Sequence, residues 1–262
     1  MTEARVDVKF EDRARIGRVA IVTVDNQAKL NCLNTMQVVA LRGAFELIAK
    51  DANVRAAILT GAGDRAFIGG ADLSELGGLC SDGSRLYITR LHKACKAIRD
   101  CPVPVIGRIN GFCLGAGLEV AASCDMRVAA DTAMFGMPEV HMGLPSVIEA
   151  ALLPGLIGWG KTREILLTGA TFGAAEALDM KFVEKVMPAA TIDDHVTHWL
   201  TLLGRATPAA VRAQKALMNR WERVSVEEGI YAGIDAISDA YRTGEPQAAI
   251  KAFFDAKTKR KG

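Results

Sequence analysis

The sequence predicts an α/β fold with a helical C-terminal region, and three observations lead to this prediction. Up to about residue 190, apolar segments alternate between the two-residue period of strands and the 3.6-residue period of helices. Such alternation is typical of a mostly parallel sheet. From residue 193 onward the pattern is helical throughout, and no repeat or low-complexity linker interrupts the chain. We therefore expect an α/β body over 1–192 and a helical region over 193–262.

The individual elements follow from these periods. Strands are predicted over 19–25, 55–61, 104–111 and 126–131, amphipathic helices over 35–51 and 84–101, and a short apolar helix over 117–124. The C-terminal helices are predicted over 193–206, 208–221, 226–242 and 245–259. Pro208 and Pro246 stand just inside two of these helix starts, where proline is tolerated.

Composition excludes several classes of protein. Half of the 262 residues are apolar and a quarter are charged, as in a soluble globular protein, and the net charge of +2 offers no basic field for nucleic acid. No uncharged run is long enough to span a membrane, and from the alternating charges near the N-terminus we expect no secretory signal and a transit peptide is disfavoured. The six cysteines have neither disulfide nor metal spacing, so we expect reduced thiols, no metal site and a cytoplasmic protein.

Two glycine-rich turns follow predicted strands, and the first is AFIGGADLSEL over 66–76. Asp72 and Glu75 have the spacing of a capping box, which predicts that Asp72 caps a helix. Gly69 and Gly70 would let the backbone approach a ligand closely, and free N–H groups at a helix start can meet negative charge.

The second turn, GFCLGAGLE over 111–119, also precedes a helix. Ala116 and Gly117 would present unpaired N–H groups there, and two donors aimed at one oxygen would make an oxyanion hole. The glycine spacing differs from that of a dinucleotide-binding fingerprint, which disfavours a nucleotide site.

Two carboxylates accompany these turns. Glu119 stands among small apolar residues, where it either interacts with the helix dipole or handles a proton or a water. Glu139 follows Pro138 in the loop FGMPEVHMGLPS, and alone it is typical of a solvated loop residue. Together the two would form an acid–base pair, although their spacing does not show that they face each other.

These stretches resemble the crotonase superfamily, the family of enoyl-CoA hydratases. The resemblance covers nearly the whole chain in the right order. It is carried by QAKLNCLNTMQ (27–37), RAFIGGADLSEL (65–76), PVIGRINGFCLGAGLEVAASCDMRVAADTAMFGMPEV (104–140), LLPGLIGWGKTREILLTGATFGAAEALDMKFVEKV (152–186) and AIKAFFDAKTKRK (249–261).

The resemblance implies a spiral of ββα turns over 1–192 and a C-terminal region over 193–262 that forms a homotrimer or a dimer of trimers. It implies an acyl-CoA substrate, no separate cofactor, an oxyanion hole from the N–H groups of Ala71 and Ala116, and Glu119 and Glu139 as catalytic residues. In hydratases such glutamates hold water between them, Glu119 matching the residue that activates water and Glu139 the residue that serves the Cα proton. The positions that match coenzyme A or substrate contacts are Lys29, Leu30, Ala66, Ile68, Gly70, Asp72, Leu73, Gly115 and Lys257.

One segment departs from the family pattern. Many hydratases have a glycine run after the second glutamate, whereas this chain has GLPSVIEAALLP over 143–154. Glu149 is a third acid there, and Ser146 has capping-box spacing to it, which predicts a capping role. Both glutamates favour a hydratase. A crotonase-fold isomerase, hydrolase or decarboxylase, and a non-catalytic binding protein of this fold, remain the alternatives.

Overall fold

The computed structural model describes residues 4–259, and their strands form two sheets. The strands are β1 (Arg5–Arg13), β2 (Gly17–Asp25), β3 (Val54–Gly61), β4 (Ala66–Ile68), β5 (Val105–Ile109), β6 (Phe112–Leu114), β7 (Met126–Ala130), β8 (Met134–Gly136), β9 (Thr171–Gly173) and β10 (Lys185–Met187). The larger sheet has the order β1-β2-β3-β5-β7-β10, and the smaller has the order β4-β6-β8-β9. Pairing is parallel except between β1 and β2 and between β8 and β9.

The helices alternate with strands in the first part of the chain and follow one another in the last. They are α1 (Thr35–Lys50), α2 (Leu73–Leu76), α3 (Ser81–Asp100), α4 (Ala116–Ala122), α5 (Leu153–Thr168), α6 (Ala174–Asp179), α7 (Ile192–Arg205), α8 (Pro208–Trp221), α9 (Val226–Arg242) and α10 (Glu245–Lys259). Helices α1, α3 and α7–α10 agree with the predicted ones to within three residues, whereas the sequence periods predicted no helix at the position of α5. The short helix α4 begins at Ala116 rather than Gly117.

One structural pattern recurs along the body of the chain. A strand of the large sheet is followed by a strand of the small sheet and then by helix: β3, β4 and α2–α3, then β5, β6 and α4, then β7, β8 and α5. The chain therefore winds as a spiral of ββα turns, and the fold class expected from the sequence is confirmed. Each turn brings a short strand of the small sheet and the loop after it next to those of the previous turn.

The central strands of the larger sheet, β2, β3, β5 and β7, are covered on both faces, as is usual for parallel strands. One face of β2 and β3 packs with α1 and α3, through residues such as Phe45 and Leu91. On the opposite face Val19 and Ile58 pack with Val196 of α7. This explains why VRAAILTG is almost continuously buried and apolar rather than alternating.

Of the last three helices, α8 contacts the α/β body directly, and each later helix packs on the one before it. Helix α8 is held by Lys215, a buried lysine whose Nζ is 2.6 Å from Asp125 Oδ2 and 3.0 Å from the carbonyl of Val103. Helix α9 packs on α8, and α10 packs on α9. Along α9 one line of apolar side chains stays exposed, and it consists of Ile230, Ile234, Ile237 and Tyr241.

Candidate active site

The two glycine-rich turns lie side by side because the strands before them are paired. In the parallel pair of β4 and β6, Ala66 lies opposite Phe112 and Ile68 opposite Cys113. Each strand then leads into a glycine with positive φ, +120° at Gly70 and +50° at Gly115. These backbone conformations are rarely open to other residues. The backbone turns at each of these glycines, so the N–H group of the following residue, Ala71 or Ala116, does not point as it would in a continued strand.

In each turn, the residue after the glycine has a backbone N–H group that donates to no acceptor in the described part of the chain. Ala71 forms a parallel bridge with Leu33, and this bridge uses the carbonyl of Gly70 and the N–H of Asp72. The N–H of Ala71 therefore points away from Leu33. Ala116 is the first residue of α4, where an N–H has no acceptor within the helix. Neither N–H has an acceptor among residues 4–259.

Glu119 lies one turn into α4, and the residue is 4% exposed. Its Oε1 accepts a hydrogen bond of 3.3 Å from the N–H of Ala150. Burial raises the pKa of Glu119 to about 9, and the negative charge of Glu139 acts in the same direction. Glu119 is thus a buried carboxyl that favours its neutral form.

Glu139 comes from the 3-10 helix Pro138–Met142 that follows β8. It is half-buried, and its Oε2 accepts a 3.0 Å hydrogen bond from the hydroxyl of Ser146. Its Oε1 lies over Gly115, so close that a Cβ on Gly115 would collide with it. The structure therefore brings together the elements separated in the sequence: Glu139, the turn at Gly115 and the carboxyl of Glu119.

Ser146 and Glu149 do not form the predicted capping box. Ser146 donates to Glu139 instead, and Glu149 is buried in the 3-10 helix Ile148–Leu152, where its Oε1 is 2.8 Å from Nδ1 of His92 on α3. The local prediction failed because tertiary partners compete for both side chains: Ser146 meets Glu139 and Glu149 meets α3.

Asp72 caps a helix as predicted, since its side chain accepts a 3.0 Å hydrogen bond from the N–H of Ser74 at the start of α2. The reciprocal hydrogen bond of the capping box, in which the backbone N–H of Asp72 would donate to the Glu75 carboxylate, is not formed, so this part of the prediction is wrong. Glu75 instead accepts from the N–H and hydroxyl of Thr35, which ties α2 to the start of α1. Asp72 also pairs with Lys29 at 2.6 Å, and this hydrogen bond is the main cause that lowers the pKa of Asp72.

The remaining candidate substrate contacts are distributed over three places. Leu30 adjoins the first turn, where its carbonyl accepts from the N–H of Gly69 at 2.8 Å, and Leu73 is exposed at the start of α2. Ala66 and Ile68 are buried in β4. Lys257 is exposed on α10 with no polar partner within residues 4–259, and the last basic residues of its run, Arg260 and Lys261, lie outside the described residues.

Neither a candidate metal site nor a membrane-spanning helix is found in the described part of the chain. No group of three or more His, Cys, Asp or Glu side chains in residues 4–259 could hold a metal ion. Within the same range, no helix is both long enough and apolar enough to cross a lipid bilayer.

The comparison with known proteins identifies the class of protein. The sequence model described as "Enoyl-CoA hydratase/isomerase" matches residues 15–261, which is nearly the whole chain. The chain therefore belongs to the enoyl-CoA hydratase/isomerase family, and the resemblance to the crotonase superfamily is confirmed.

Particular relatives are similar over almost their full length. The chain is 31% identical to the short-chain-enoyl-CoA hydratase of Clostridium acetobutylicum, over 91% of this chain and 92% of that protein. It is 29% identical to the crotonyl-CoA hydratase of Syntrophomonas wolfei, with the same coverage. A crystal structure of an enoyl-CoA hydratase from Bacillus anthracis superposes with a TM-score of 0.90 at 28% identity, covering 95% of this chain and 96% of that chain.

Proposed function

We propose that this protein is an enoyl-CoA hydratase, which adds water reversibly and syn to a 2-enoyl-CoA and forms a 3-hydroxyacyl-CoA. The observation that carries the proposal is the placement of two carboxyls, Glu119 and Glu139, beside a turn that presents an unpaired N–H. The names of the related hydratases from C. acetobutylicum and S. wolfei support the same substrate class.

The N–H groups of Ala71 and Ala116 would bind the thioester oxygen and stabilise the enolate-like charge that develops on it. Removing one donor of this kind typically costs about 3–4 kcal/mol in the transition state. Lys29, Leu30, Asp72, Leu73 and the buried strand residues Ala66 and Ile68 are proposed to surround the coenzyme A and acyl portions. Gly70 and Gly115 provide the turns, and Lys257 is proposed to meet a coenzyme A phosphate.

The two glutamates divide the proton transfers. Glu119 as the carboxylate takes a proton from the water whose oxygen adds to Cβ, and Glu139 as the carboxylic acid gives a proton to Cα. The proton gained by Glu119 returns to Glu139 before the next turnover, so the net addition is one water. A carboxyl buried enough to have a raised pKa is a strong base once it is ionised, which suits the removal of a proton from water. Coenzyme A is part of the substrate in this reaction, so the proposed chemistry uses no separate cofactor.

The assembly and location are part of the proposal. The exposed apolar line on α9 supports self-association, because exposed apolar side chains in a row are better buried between subunits. The homotrimer or dimer of trimers is the assembly that the family resemblance implies. All six cysteines are free thiols, which supports a reducing compartment, the cytoplasm. We propose no nucleic-acid partner, since the net charge is only +2.

The test is the loss of the conjugated-enone absorbance of crotonyl-CoA when purified protein is added. We expect turnover in the wild type and losses of roughly 10²–10⁴-fold in Glu119→Gln and Glu139→Gln, the range for general acid–base catalysis. Glu46→Gln, on the exposed surface of α1, is the matched control and should keep wild-type activity. Full activity in either site variant would remove that glutamate from the proposed mechanism.

A second candidate is a double-bond isomerase of the same fold, which the third acid in the altered segment 143–154 favours. Incubation of a 3-enoyl-CoA in D2O separates the two reactions. An isomerase would move the double bond without adding water, by removing a proton from Cα and adding a proton or a solvent deuteron at Cγ, whereas a hydratase would yield the 3-hydroxyacyl product from crotonyl-CoA.

A further inference from the structure

The hydroxyl of Ser146, in the segment 143–154, is bonded to a candidate catalytic carboxyl. It lies 3.0 Å from Oε2 of Glu139, which is the distance of an ordinary hydrogen bond. A carboxylate has no hydrogen to give, so Ser146 is the donor whenever Glu139 is ionised. Ser146 stands seven residues after Glu139, beyond the end of the 3-10 helix Pro138–Met142. The contact therefore depends on how the chain turns after this helix.

The chain after the 3-10 helix is bent back by its own backbone hydrogen bonds. The N–H of Gly143 donates to the carbonyl of Val140 at 3.2 Å, and the N–H of Leu144 donates to the carbonyl of Glu139 at 3.1 Å. These two bonds return the residues after Gly143 to the start of the helix. They bring Ser146 against the side chain of Glu139, and both side chains are half-buried there.

The two oxygens of Glu139 have different surroundings. Oε2 accepts from Ser146, whereas Oε1 lies over Gly115, the residue before Ala116. Oε1 accepts no hydrogen bond from any group within residues 4–259. The terminal torsion of a glutamate is broad, so only an outside partner makes its two oxygens different. The carboxyl thus has one held oxygen, and its free oxygen is on the side of the candidate oxyanion hole.

We propose that Ser146 is a positioning residue that holds the carboxyl of Glu139 and reserves Oε1 for proton transfer to Cα. The proposal rests on the proposed hydratase function, in which Glu139 as the carboxylic acid gives this proton. Because Ser146 donates to Oε2, the acidic proton is carried by Oε1. That oxygen lies over the turn at Gly115, where the thioester oxygen would be bound, and Cα is the atom next to the thioester carbonyl.

The proton transfer is balanced in atoms and charge. The Oε1–H bond of Glu139 breaks while an electron pair of the enolate forms the new C–H bond at Cα, and Glu139 becomes a carboxylate. The hydrogen bond from Ser146 strengthens in this step, because bonds to an ionised acceptor are roughly twice as strong as neutral ones. Ser146 neither gains nor loses a proton and touches no reacting atom in this scheme, so it acts through Glu139.

The test compares Ser146→Ala with Ser146→Thr in the hydration of crotonyl-CoA. We expect kcat of Ser146→Ala to fall by roughly tenfold to a hundredfold, as for the loss of a hydrogen bond to a charged group. KM should not change, because Ser146 does not bind the substrate. Ser146→Thr keeps a hydroxyl and should retain most of the activity. The control is Ser84→Ala, which removes an exposed hydroxyl that donates to a carbonyl within α3 and should keep wild-type rates.

A double-mutant cycle separates a role through Glu139 from a general structural role. In Glu139→Gln the acidic proton is already lost, so adding Ser146→Ala should lower kcat no further. Three outcomes would overturn the proposal: a wild-type kcat in Ser146→Ala, a folded Ser146→Thr no more active than Ser146→Ala, or a deficit of the same size in the Glu139→Gln background.

A wild type without turnover on crotonyl-CoA would instead contradict the proposed function. The contact is then judged by the carboxyl-carbon NMR signal of Glu139, assigned with Glu139→Gln. Loss of the donor in Ser146→Ala should move this signal, and Ser84→Ala should leave it in place. An unmoved signal in Ser146→Ala would show that Ser146 does not hold Glu139 in solution.

Discussion

Glu119 shows how one residue can cost stability at a site that needs its chemistry. Every residue of α4 is buried, so the carboxyl stands where a charge is poorly solvated. Its one hydrogen bond, from the N–H of Ala150, opposes the rise in its pKa without cancelling it. The folded protein therefore holds this carboxyl in a form that the unfolded chain would not hold at neutral pH.

Replacing Glu119 by Gln should stabilise the protein at alkaline pH. The pKa of about 9 in the folded state is above the usual 4.5, so the folded protein retains a proton that the unfolded chain releases in this range. Stability of the wild type must therefore fall as the pH rises from 4.5 to 9, whereas Gln does not titrate. The unfolding free energy of Glu119→Gln is compared with that of the wild type at each pH. We expect this difference to be roughly 1–3 kcal/mol more in favour of the variant at pH 8 than at pH 5.

Urea unfolding at the two pH values measures this difference. Glu46→Gln is the control, because an exposed glutamate paired with Arg42 on the surface of the same helix should contribute little at either pH. A Glu119→Gln variant whose relative stability does not change between pH 5 and pH 8 would show that Glu119 is not a neutral carboxyl in the folded protein.

At the scale of the element, the site is made by the starts of short segments rather than by long helices. The turn before α4 depends on Gly115, whose φ of +50° is strained for any other residue and whose missing Cβ leaves room for Oε1 of Glu139. This turn gives Ala116 its free N–H and leaves room for the carboxyl of Glu139. The geometry of the proposed oxyanion hole and the position of one catalytic acid therefore depend on the same glycine.

Gly115→Ala should abolish most activity while the protein stays folded. The added Cβ strains the turn and displaces Glu139, so we expect crotonyl-CoA hydration to fall by about 10²-fold or more, as when an oxyanion donor is lost. Gly43→Ala in α1 is the matched control, since its Cβ would meet nothing within 4 Å and the position has ordinary helical backbone. Steady-state rates with circular dichroism check the pair. Equal activity in both variants would contradict the assigned role of the turn.

At the scale of the whole molecule, the C-terminal helices differ in how they are anchored. Helix α7 buries Ile192, Val196 and Leu200 against the large sheet, and Lys215 of α8 reaches the partly buried carboxylate of Asp125 and two carbonyls of the body. Helix α9 instead contacts α8, and α10 contacts α9, while both expose large apolar side chains. The single chain thus leaves an apolar surface at one end that a second copy could bury.

Ile234→Asp should break the proposed self-association. Ile234 is 56% exposed near the middle of the apolar line on α9, so the charge is tolerated in the single chain but is costly inside an interface. We expect sedimentation velocity to show a trimer or larger species for the wild type and a smaller species for the variant. Glu227→Gln, at the exposed start of the same helix, should sediment like the wild type. A monomeric wild type would reject the assembly.

Much of the fold could be predicted because the long elements carry their own periodic pattern. Helices α1, α3 and α7–α10 were predicted to within a few residues, and so were β2, β3, β5 and β7. The strands that sequence periodicity missed are mostly three residues long, such as β4, β6 and β8. A three-residue segment has too few side chains for a period, and pairing with strands from other turns of the spiral makes it a strand.

The candidate site was predicted in part. Chemistry within one stretch, such as the glycine turns and the capping role of Asp72, could be inferred from spacing. The pairing of His92 with Glu149 could not, because 57 residues separate them and no local rule links a helix to a later loop. The one available signal was that Glu149 is an acid in an otherwise apolar segment.

The sequence by itself determined the α/β class, the helical C-terminal region and the family, because these depend on periodicity and on contiguous motifs. The tertiary structure decided which acids meet and what each is bonded to. Glu139 lies over Gly115, Ser146 serves Glu139, and Glu149 is buried against α3. The physical reason is that hydrogen bonding and burial act over a few ångströms in space, and only the folded spiral sets those distances.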